Sequence, residues 1–284
     1  MAIHSQPGEE QRLANFTKGP EEPRLERDFL FLHLRALPYF RSITRSIEAG
    51  FWQDFNLPRP VIDIGCGDGH FASVTFDEPL DVGLDPWGGP IREAKSWGGY
   101  KALVQADGGQ MPLPDESFSC AVSNSVLEHI PHVDQVLAET ARVLKPGAPF
   151  LFCVPNPRHN DELAIPAMMR RLGLKKLAGR YVQWWIKITR THHADMPEVW
   201  TERLEKAGFR LERWWHYMPP STWHAVEWGH YLSSPTLLPH KLTGRWILVP
   251  TRWNLALTEK FVRPLIQVRP SEDGIFTFYV ATKV

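Results

Sequence analysis

The sequence predicts a doubly wound α/β fold, in which a mostly parallel sheet carries helices on both of its faces. From Pro60 onward, short β-rich runs alternate with helical runs, and this alternation is typical of parallel sheets. An apolar run at residues 61–64 leads directly into a glycine-rich turn, the place where ligands bind in such sheets. Pro146 and Gly147 form a helix stop just before another apolar run.

The first half of the chain can be divided into elements by its hydrophobic periodicity. Residues 1–23 are polar and contain proline, which predicts a flexible tail, whereas residues 24–50 carry apolar side chains at helical spacing. Pro38 is expected to divide this helical region in two. The alternating region predicts strands at residues 61–64, 80–84, 101–105, 118–123 and 149–154, with helices from about 68, from about 90 and over 133–144.

The second half departs from simple alternation. Residues 196–208 predict a helix with proline near its start and glycine at its end, followed by a strand at 209–215. A last strand is expected at 274–282. The expected organisation is a tail with cap helices (1–54) and one domain (55–284), with insertions at about 157–195 and 216–273.

Composition excludes several classes of protein. A chain of 284 residues with 43% apolar and 23% charged side chains can bury a full core. Its formal net charge is zero, so no overall field draws it to nucleic acid or to an anionic membrane. No run of about 18 apolar residues occurs, so no membrane span is expected. Cys66, Cys120 and Cys153 form no Cys-x-x-Cys pair, which predicts neither disulfides nor zinc and favours a cytoplasmic location.

The glycine-rich turn carries the most specific signal. Gly65, Gly67 and Gly69 follow the pattern Gly-x-Gly-x-Gly, and glycine lets the backbone pass close beneath a ligand. The dinucleotide fingerprint has one more residue before its third glycine, where a pyrophosphate lies over the helix N-terminus. The turn therefore favours a ligand that has no pyrophosphate, and a nicotinamide oxidoreductase is the least favoured class.

At this point the sequence resembles the class I S-adenosylmethionine-dependent methyltransferases, which have a Rossmann-like sheet of seven strands with the last strand antiparallel. The resemblance covers about residues 55–156, with a fainter match at 200–209. Its matching segments, in chain order, are 63–69, 82–85, 105–107 with 111–114, 121–130 and 142–147. The resemblance implies S-adenosylmethionine as the cofactor.

One carboxylate and its neighbours are expected at the adenosine part of this cofactor. Asp85 follows Gly65 by twenty residues at a strand end, where a carboxylate can accept both ribose hydroxyl protons. The alternative role for Asp85 is a helix cap or a solvated acid. Pro86 and Trp87 come next and are expected to cover one face of the adenine, although Trp87 could equally pack on the edge of the sheet.

The resemblance assigns four further residues to the cofactor site. Asp107 and Gly108 match the position that hydrogen-bonds the adenine amino group, with an ordinary loop acid as the alternative. Asp63 is expected beneath the glycine turn, and a carboxylate in an apolar strand is costly unless it has a partner. Ser123 ends the fourth strand of the resembled fold, where the resemblance implies the reacting methyl group and the substrate entrance.

Three histidines are the candidates for direct catalysis. His129 could act as a base near neutral pH, although in the resembled family this histidine more often supports the loop. His192 and His193 precede the helix at 196–208, where the family frequently has a histidine facing the pocket. No base is compulsory, because the cofactor is already activated and positioning can supply effective molarities of about 10⁵ M or more.

The first insertion has an amphipathic pattern. Residues 158–190 contain eight basic and two acidic side chains, and an apolar stripe runs along the predicted helix at Leu177, Tyr181, Trp184, Trp185 and Ile188. One interpretation is peripheral contact with an anionic membrane through 158–190. The other is a lid helix that packs its stripe on the core.

The acceptor is expected to be a small molecule, and nucleic acid is disfavoured as a partner. Nine of the twelve tryptophans lie between Trp184 and Trp253, which favours a cap over an apolar or aromatic acceptor such as a lipid, an isoprenoid or a natural product. The aromatic cluster could instead be the ordinary core of an irregular extension. His224, Glu227 and His230 recur every three residues and wind around a helix, so no metal site is predicted.

The sequence therefore predicts methyl transfer to an oxygen, nitrogen or carbon nucleophile of that acceptor. The alternative is a non-catalytic scaffold or binding protein on the same fold. The sequence leaves the oligomeric state open.

Overall fold

The computed structural model describes residues 3–5 and 27–284, and within them the chain forms one eight-stranded sheet. The strands are β1 (Ile3–Ser5), β2 (Val61–Ile64), β3 (Leu80–Asp85), β4 (Tyr100–Gln105), β5 (Cys120–Asn124), β6 (Pro149–Pro155), β7 (Phe209–Tyr217) and β8 (Phe276–Lys283).

The order across the sheet is β1-β7-β8-β6-β5-β2-β3-β4. Strands β2 to β6 are parallel to one another, whereas β8 lies antiparallel between β6 and β7. This arrangement confirms the predicted doubly wound, mostly parallel sheet with an antiparallel last strand. The strand order reverses at β2, which lies between β3 and β5, and such a switch point opens a crevice at the carboxyl ends of the strands.

Strand β1 is a correction to the expected flexible tail. Residues 3–5 pair antiparallel with Arg213–Trp215 of β7, which would otherwise be the edge of the sheet. An unpaired edge presents backbone donors and acceptors that an added strand can satisfy. The rest of the predicted tail lies outside the described residues.

Helices cover both faces of the sheet. They are α1 (Phe29–Leu34), α2 (Tyr39–Trp52), α3 (His70–Thr75), α4 (Gly88–Trp97), α5 (Val133–Val143), α6 (Arg158–Asp161), α7 (Ala164–Arg171), α8 (Lys175–Thr189), α9 (Pro197–Lys206), α10 (Pro220–Leu232), α11 (Leu237–Thr243) and α12 (Arg252–Val262).

The break between α1 and α2 confirms the effect predicted for Pro38, which is the N-cap residue of α2. Alternate residues of β6 enter two separate cores, because side chains of a strand point to opposite faces. Leu151 packs with α1, α2 and α10 on one face, and Phe150 packs with α5 and α9 on the other.

The two insertions add helices to the α2 side of the sheet. Trp185 of α8 is fully buried there and lies against Trp223 of α10, at a ring distance of 6.0 Å. The predicted apolar stripe of α8 is therefore only partly used for packing, since Leu177, Trp184 and Ile188 stay exposed. Among the described residues, no helix has the length and apolar character needed to cross a bilayer.

Candidate active site

A cavity of about 750 Å³ opens at the carboxyl ends of β2, β3 and β5, at the switch point of the sheet. Its volume is within the range usual for small-molecule sites. The predicted site residues on its wall are Asp63, Gly65, Gly67, Asp85, Pro86, Trp87, Asp107, Gly108 and His129. Gly69 caps α3 directly behind this wall. The structure thus brings most of the predicted site to one place.

The glycine turn adopts a backbone that side chains disfavour. Gly65, Gly67 and Gly69 have φ angles of 80°, 55° and 75°, in the left-handed region. A Cβ on Gly65 would lie 2.2 Å from Cγ1 of Val126, so the turn passes close against the end of β5. Gly67 belongs to the cavity wall, and a Cβ on it would meet no atom within 4 Å, so the space beside this backbone is open.

Asp85 holds the glycine turn against the end of β3. Its carboxylate accepts hydrogen bonds from the backbone amides of Gly67 (3.0 Å) and Trp87 (2.9 Å), one at each oxygen. Burial raises the pKa of Asp85, and the two amides partly counter this effect. Each oxygen keeps a second lone pair, so the carboxylate can still accept from a ligand hydroxyl.

Asp63 has a partner that sequence analysis missed. The Tyr100 hydroxyl, on β4, donates a hydrogen bond of 2.5 Å to Oδ2 of Asp63. Burial raises the pKa of Asp63 to about 7, although the Tyr100 hydrogen bond acts in the opposite direction. This tyrosine supplies the pairing that a carboxylate in a buried strand requires.

The adenine end of the predicted site is more open. Asp107 accepts hydrogen bonds from the backbone amide of Gly109 (2.7 Å) and from Nε2 of His132 (2.9 Å), and the His132 bond contributes most to lowering its pKa. Trp87 is 68% exposed at the rim of the cavity. It therefore remains available to stack on a ligand.

Ser123 is an exception among the predicted cofactor residues. It does not belong to the cavity wall, and its buried hydroxyl donates to the carbonyl of Ile64 (2.8 Å). Successive residues of a strand point to opposite faces, so Ser123 and Asn124 point in opposite directions. The structure therefore does not bring Ser123 to the cavity wall, and its neighbour Asn124 lines the cavity instead.

A buried carboxylate on α2 organises the end of β5. Glu48 accepts hydrogen bonds from Asn124 Nδ2 (2.8 Å), Ser125 Oγ (2.6 Å) and Arg45 (2.8 Å). Ser125 itself has a φ of 53°, a conformation that a non-glycine residue rarely adopts. Glu48 thus anchors the strand end beside the cavity, and nothing in the local sequence pattern indicated this role.

Two arginines of α2 reach the same cavity. Arg45 pairs with Glu48 and lies over the ring of Phe71, 5.4 Å from its centre. Arg41 lines the cavity, and its guanidinium has no hydrogen bond or ion pair with any residue that the structure describes. Burial lowers the pKa of Arg41, although the nearby Asp68 carboxylate counters this. A half-buried guanidinium on the cavity wall is a ready partner for a ligand carboxylate.

Of the three predicted catalytic histidines, only His129 lines the cavity. Its Nδ1 lies 3.2 Å from the carbonyl oxygen of Arg190, which can only accept, so in the neutral ring Nδ1 carries the proton. Burial lowers the pKa of His129, which keeps the ring neutral near pH 7. Nε2 then retains a lone pair that can accept a proton.

His192 and His193 serve a different purpose. Their backbone amides both donate to the carbonyl of Glu128, and neither side chain is on the cavity wall. His193 Nε2 bonds to the carbonyl of Ile130, at 3.1 Å, and the His192 side chain is exposed. The structure therefore does not bring either side chain to the cavity wall, because this loop docks by its backbone.

The two histidines of α10 form hydrogen bonds to nearby backbone carbonyls. Glu227 accepts from the backbone amide of Ala164 (2.6 Å) and from the Tyr181 hydroxyl (2.8 Å), while His224 Nε2 bonds to the carbonyl of Glu162. Nowhere in the described part of the chain do three or more His, Cys, Asp or Glu side chains gather in a way that could hold a metal ion.

The insertion at 216–273 closes one side of the cavity. His240 and Trp246 belong to its wall and stack on each other with ring centres 3.9 Å apart. Sequence analysis had placed aromatic residues of this region near an acceptor without assigning roles. The fold and the cavity together place polar strand-end groups and apolar side chains around one opening at the switch point of an α/β sheet.

Comparison with known proteins identifies the family. A family model described as a methyltransferase domain matches residues 62–152. A fatty-acid O-methyltransferase of Mycolicibacterium smegmatis is 32% identical over 159 residues, 53% of this chain and 56% of that protein. A malonyl-acyl-carrier-protein O-methyltransferase of Methylococcus capsulatus is 30% identical over 118 residues, 39% of this chain and 43% of that protein. The chain matches about half the length of these relatives.

Solved structures show the same fold. The (4+2)-cyclase SpnF has a TM-score of 0.53 at 16% identity, covering 95% of this chain and 89% of that one. Phosphoethanolamine N-methyltransferase 2 of Haemonchus contortus has a TM-score of 0.51 at 16% identity, covering 80% and 49%. Residues 62–152 match a methyltransferase domain, and this match agrees with the class I S-adenosylmethionine-dependent methyltransferase that the glycine turn and the strand-end carboxylates predicted.

Proposed function

We propose that this protein transfers a methyl group from S-adenosylmethionine to an oxygen atom of an acceptor that has an apolar chain, with a fatty-acyl carboxylate as the best candidate. One observation carries this proposal. A single cavity joins a polar end, made by the glycine turn and Asp85, to an apolar wall that includes Leu37, Phe71 and Ile130.

The polar end has a suitable partner for each part of the cofactor. Asp85 is assigned to the ribose hydroxyls, Asp107 to the adenine amino group and Trp87 to one adenine face. The backbone at Gly67 leaves space for the cofactor, because a Cβ there would project into the cavity. Arg41 is assigned to the methionine carboxylate, which it can neutralise by a charge-assisted hydrogen bond. When bound, the cofactor supplies an activated methyl group on a sulfonium.

The protein's part in the reaction is mainly positioning. A carboxylate oxygen forms the new bond to the methyl carbon with its own lone pair, and the electrons of the broken carbon–sulfur bond remain on sulfur. No proton has to move, so a carboxylate acceptor requires no base. A hydroxyl acceptor would lose its proton, and Nε2 of His129 is a group on the cavity wall that can receive it.

Two relatives support the choice of acceptor. The proteins from Mycolicibacterium smegmatis and Methylococcus capsulatus are named as O-methyltransferases of a fatty acid and of a malonyl-acyl-carrier protein. The apolar wall of the cavity is consistent with an acyl chain. A cytoplasmic location, which rested on the use of cysteine, stays a prediction.

Calorimetric titration with S-adenosylmethionine tests the cofactor site, and Asp85→Asn is the matched variant. We expect micromolar binding that falls at least about 100-fold in the variant, since two hydrogen bonds to a charged group are weakened. Transfer of a labelled methyl group to a series of fatty acids then tests the acceptor. Absence of cofactor binding would refute the proposal and favour a scaffold, whereas binding without ester formation would refute the acceptor alone.

A further inference from the structure

Charge is distributed very unevenly along this neutral chain. Residues 163–194 contain seven basic side chains and no acidic one, and residues 228–258 contain three basic and no acidic ones. The chain as a whole has 32 of each sign. These two acid-free segments belong to the two insertions, so the excess positive charge is concentrated in the helices that were added to the fold.

The positive charge of the first segment faces solvent. Its seven basic residues are all exposed, and none forms an ion pair with any residue that the structure describes; they are Arg170, Arg171, Lys175, Lys176, Arg180, Lys187 and Arg190. In the second segment, Arg252 pairs with Asp28, whereas Lys241 and Arg245 are exposed and have no such pair. Unpaired cations that lie close together on a surface attract anionic partners.

Large apolar side chains are exposed between these cations. In the first segment Leu172 is 69% exposed and Trp184 is 44% exposed, and in the second Leu242 is 75% exposed. Others in the two segments are Met168, Leu174, Leu177, Ile188, Leu232, Leu237 and Leu238. Exposed apolar groups of this number mark an interaction surface, because a solvated face would carry few of them.

Direct contacts join the two segments. The Tyr181 and Tyr231 hydroxyls are hydrogen-bonded at 2.7 Å, and the rings of Trp184 and Tyr231 are 6.4 Å apart. We call the surface made by residues 168–190 and 231–245 the basic apolar face.

This face borders the active-site cavity. His240, in the second segment, lines the cavity, and the carbonyl of Arg190, in the first, bonds to His129 on the cavity wall. The two segments therefore meet the cavity wall from both insertions. Whatever binds to the face is brought next to the place where the acceptor enters.

We propose that the basic apolar face docks on an anionic lipid bilayer and brings the cavity to the bilayer surface. Exposed leucines and tryptophan can enter the interface between headgroups and acyl chains, while the cations remain beside lipid phosphates. A second copy of the chain is a poor occupant, because two such faces would repel each other. A nucleic acid would match the charge but would leave the leucines in contact with a polar backbone.

The test uses the full-length protein without cofactor or acceptor, so its outcome does not depend on the proposed function. Cosedimentation is measured with vesicles of phosphatidylcholine alone and with vesicles that also contain phosphatidylglycerol. We expect binding only to the anionic vesicles, weakening as salt is raised. The double variant Lys175→Glu with Lys176→Glu should bind at least about 30-fold more weakly.

Two further variants separate docking from unspecific charge effects. Arg92→Glu with Lys95→Glu reverses the same number of charges on α4, outside the face, and should bind as the unmodified protein does. Leu172→Ser with Leu174→Ser keeps every charge but removes apolar contacts, and should bind more weakly. Absence of binding to anionic vesicles, or equal binding by the lysine and α4 variants, would overturn the proposal.

Discussion

Alanine substitutions at Gly65 and Gly67 should have different consequences although both glycines belong to one turn. Both residues have positive φ angles, 80° and 55°, so each alanine adds backbone strain of about 1–2 kcal/mol. Only at Gly65 does a new Cβ also meet protein, at 2.2 Å from Cγ1 and 2.8 Å from Cγ2 of Val126. The corresponding Cβ at Gly67 meets nothing within 4 Å.

These contacts set the expected magnitudes. Overpacking costs about 1–3 kcal/mol, so Gly65→Ala should lower the free energy of unfolding by about 2–5 kcal/mol. Gly67→Ala should lower it by only about 1–2 kcal/mol. Its Cβ projects into the cavity, however, so we expect Gly67→Ala to weaken S-adenosylmethionine binding at least about tenfold.

Urea unfolding at constant m-value measures the first quantity, and calorimetric titration measures the second. Val126→Ala provides an internal check, because it removes the two nearest atoms that the new Cβ of Gly65→Ala would strike and leaves only Cβ of Val126, at 2.9 Å. The double variant should therefore lose about 1 kcal/mol less than the sum of its two single variants, since part of the overpacking remains. Equal destabilisation by the two glycine substitutions, or strict additivity with Val126→Ala, would refute this reasoning.

Three other substitutions test the surroundings of the site. Burial raises the pKa of Asp63 to about 7, so this carboxyl's contribution to stability is complete below its unfolded pKa and is lost as the pH rises through about 7. Tyr100→Phe removes the hydrogen bond that stabilises the ionised Asp63 carboxylate at high pH. In urea unfolding, this substitution should therefore destabilise the protein by about 1 kcal/mol more at about pH 9 than at about pH 5. Equal destabilisation at the two pH values would contradict this role of Tyr100. Glu48→Gln should cost about 3 kcal/mol in the same assay, because it leaves the Arg45 guanidinium without its charged partner, and a loss below about 1 kcal/mol would contradict that role. With a carboxylate acceptor, His129→Gln should change kcat by less than about tenfold, and a loss of 10²-fold or more would instead indicate general-base catalysis.

The sheet, and the cofactor site at the carboxyl ends of its strands, could be predicted because the sequence patterns that indicate them are local. Alternating apolar runs specify buried strands, and the carboxyl ends of parallel strands meet at one edge whatever the details of packing. Asp63 lies near the end of such a run, Asp85 ends one and Asp107 follows one, so their approach to one cavity followed from the strand order of the fold. The glycine turn was equally readable, since its spacing excludes a pyrophosphate cradle.

The face of the sheet to which a given side chain points was harder to predict. Ser123 and Asn124 are adjacent at the end of β5, yet one side chain bonds within the sheet and the other lines the cavity. A shift of a single residue reverses which side chain faces the ligand. The directions of the His192 and His193 side chains were hard to predict for a related reason. Their loop is held by backbone amides, and no side-chain pattern reveals such contacts.

The sequence by itself determined the fold class, the position of the cofactor site at the strand ends and the uneven distribution of charge, because each depends on residues that are close together in the chain. Only the tertiary structure decided that Arg41 and Glu48 reach the site from α2 and that Tyr100 pairs with Asp63. It also decided that the second insertion lines the cavity with His240 and Trp246, while the first touches His129 through the Arg190 carbonyl. These contacts join residues separated by tens of positions. Such contacts depend on how whole helices pack against the sheet, and hydrophobic periodicity specifies which face of a helix is buried without specifying its neighbour.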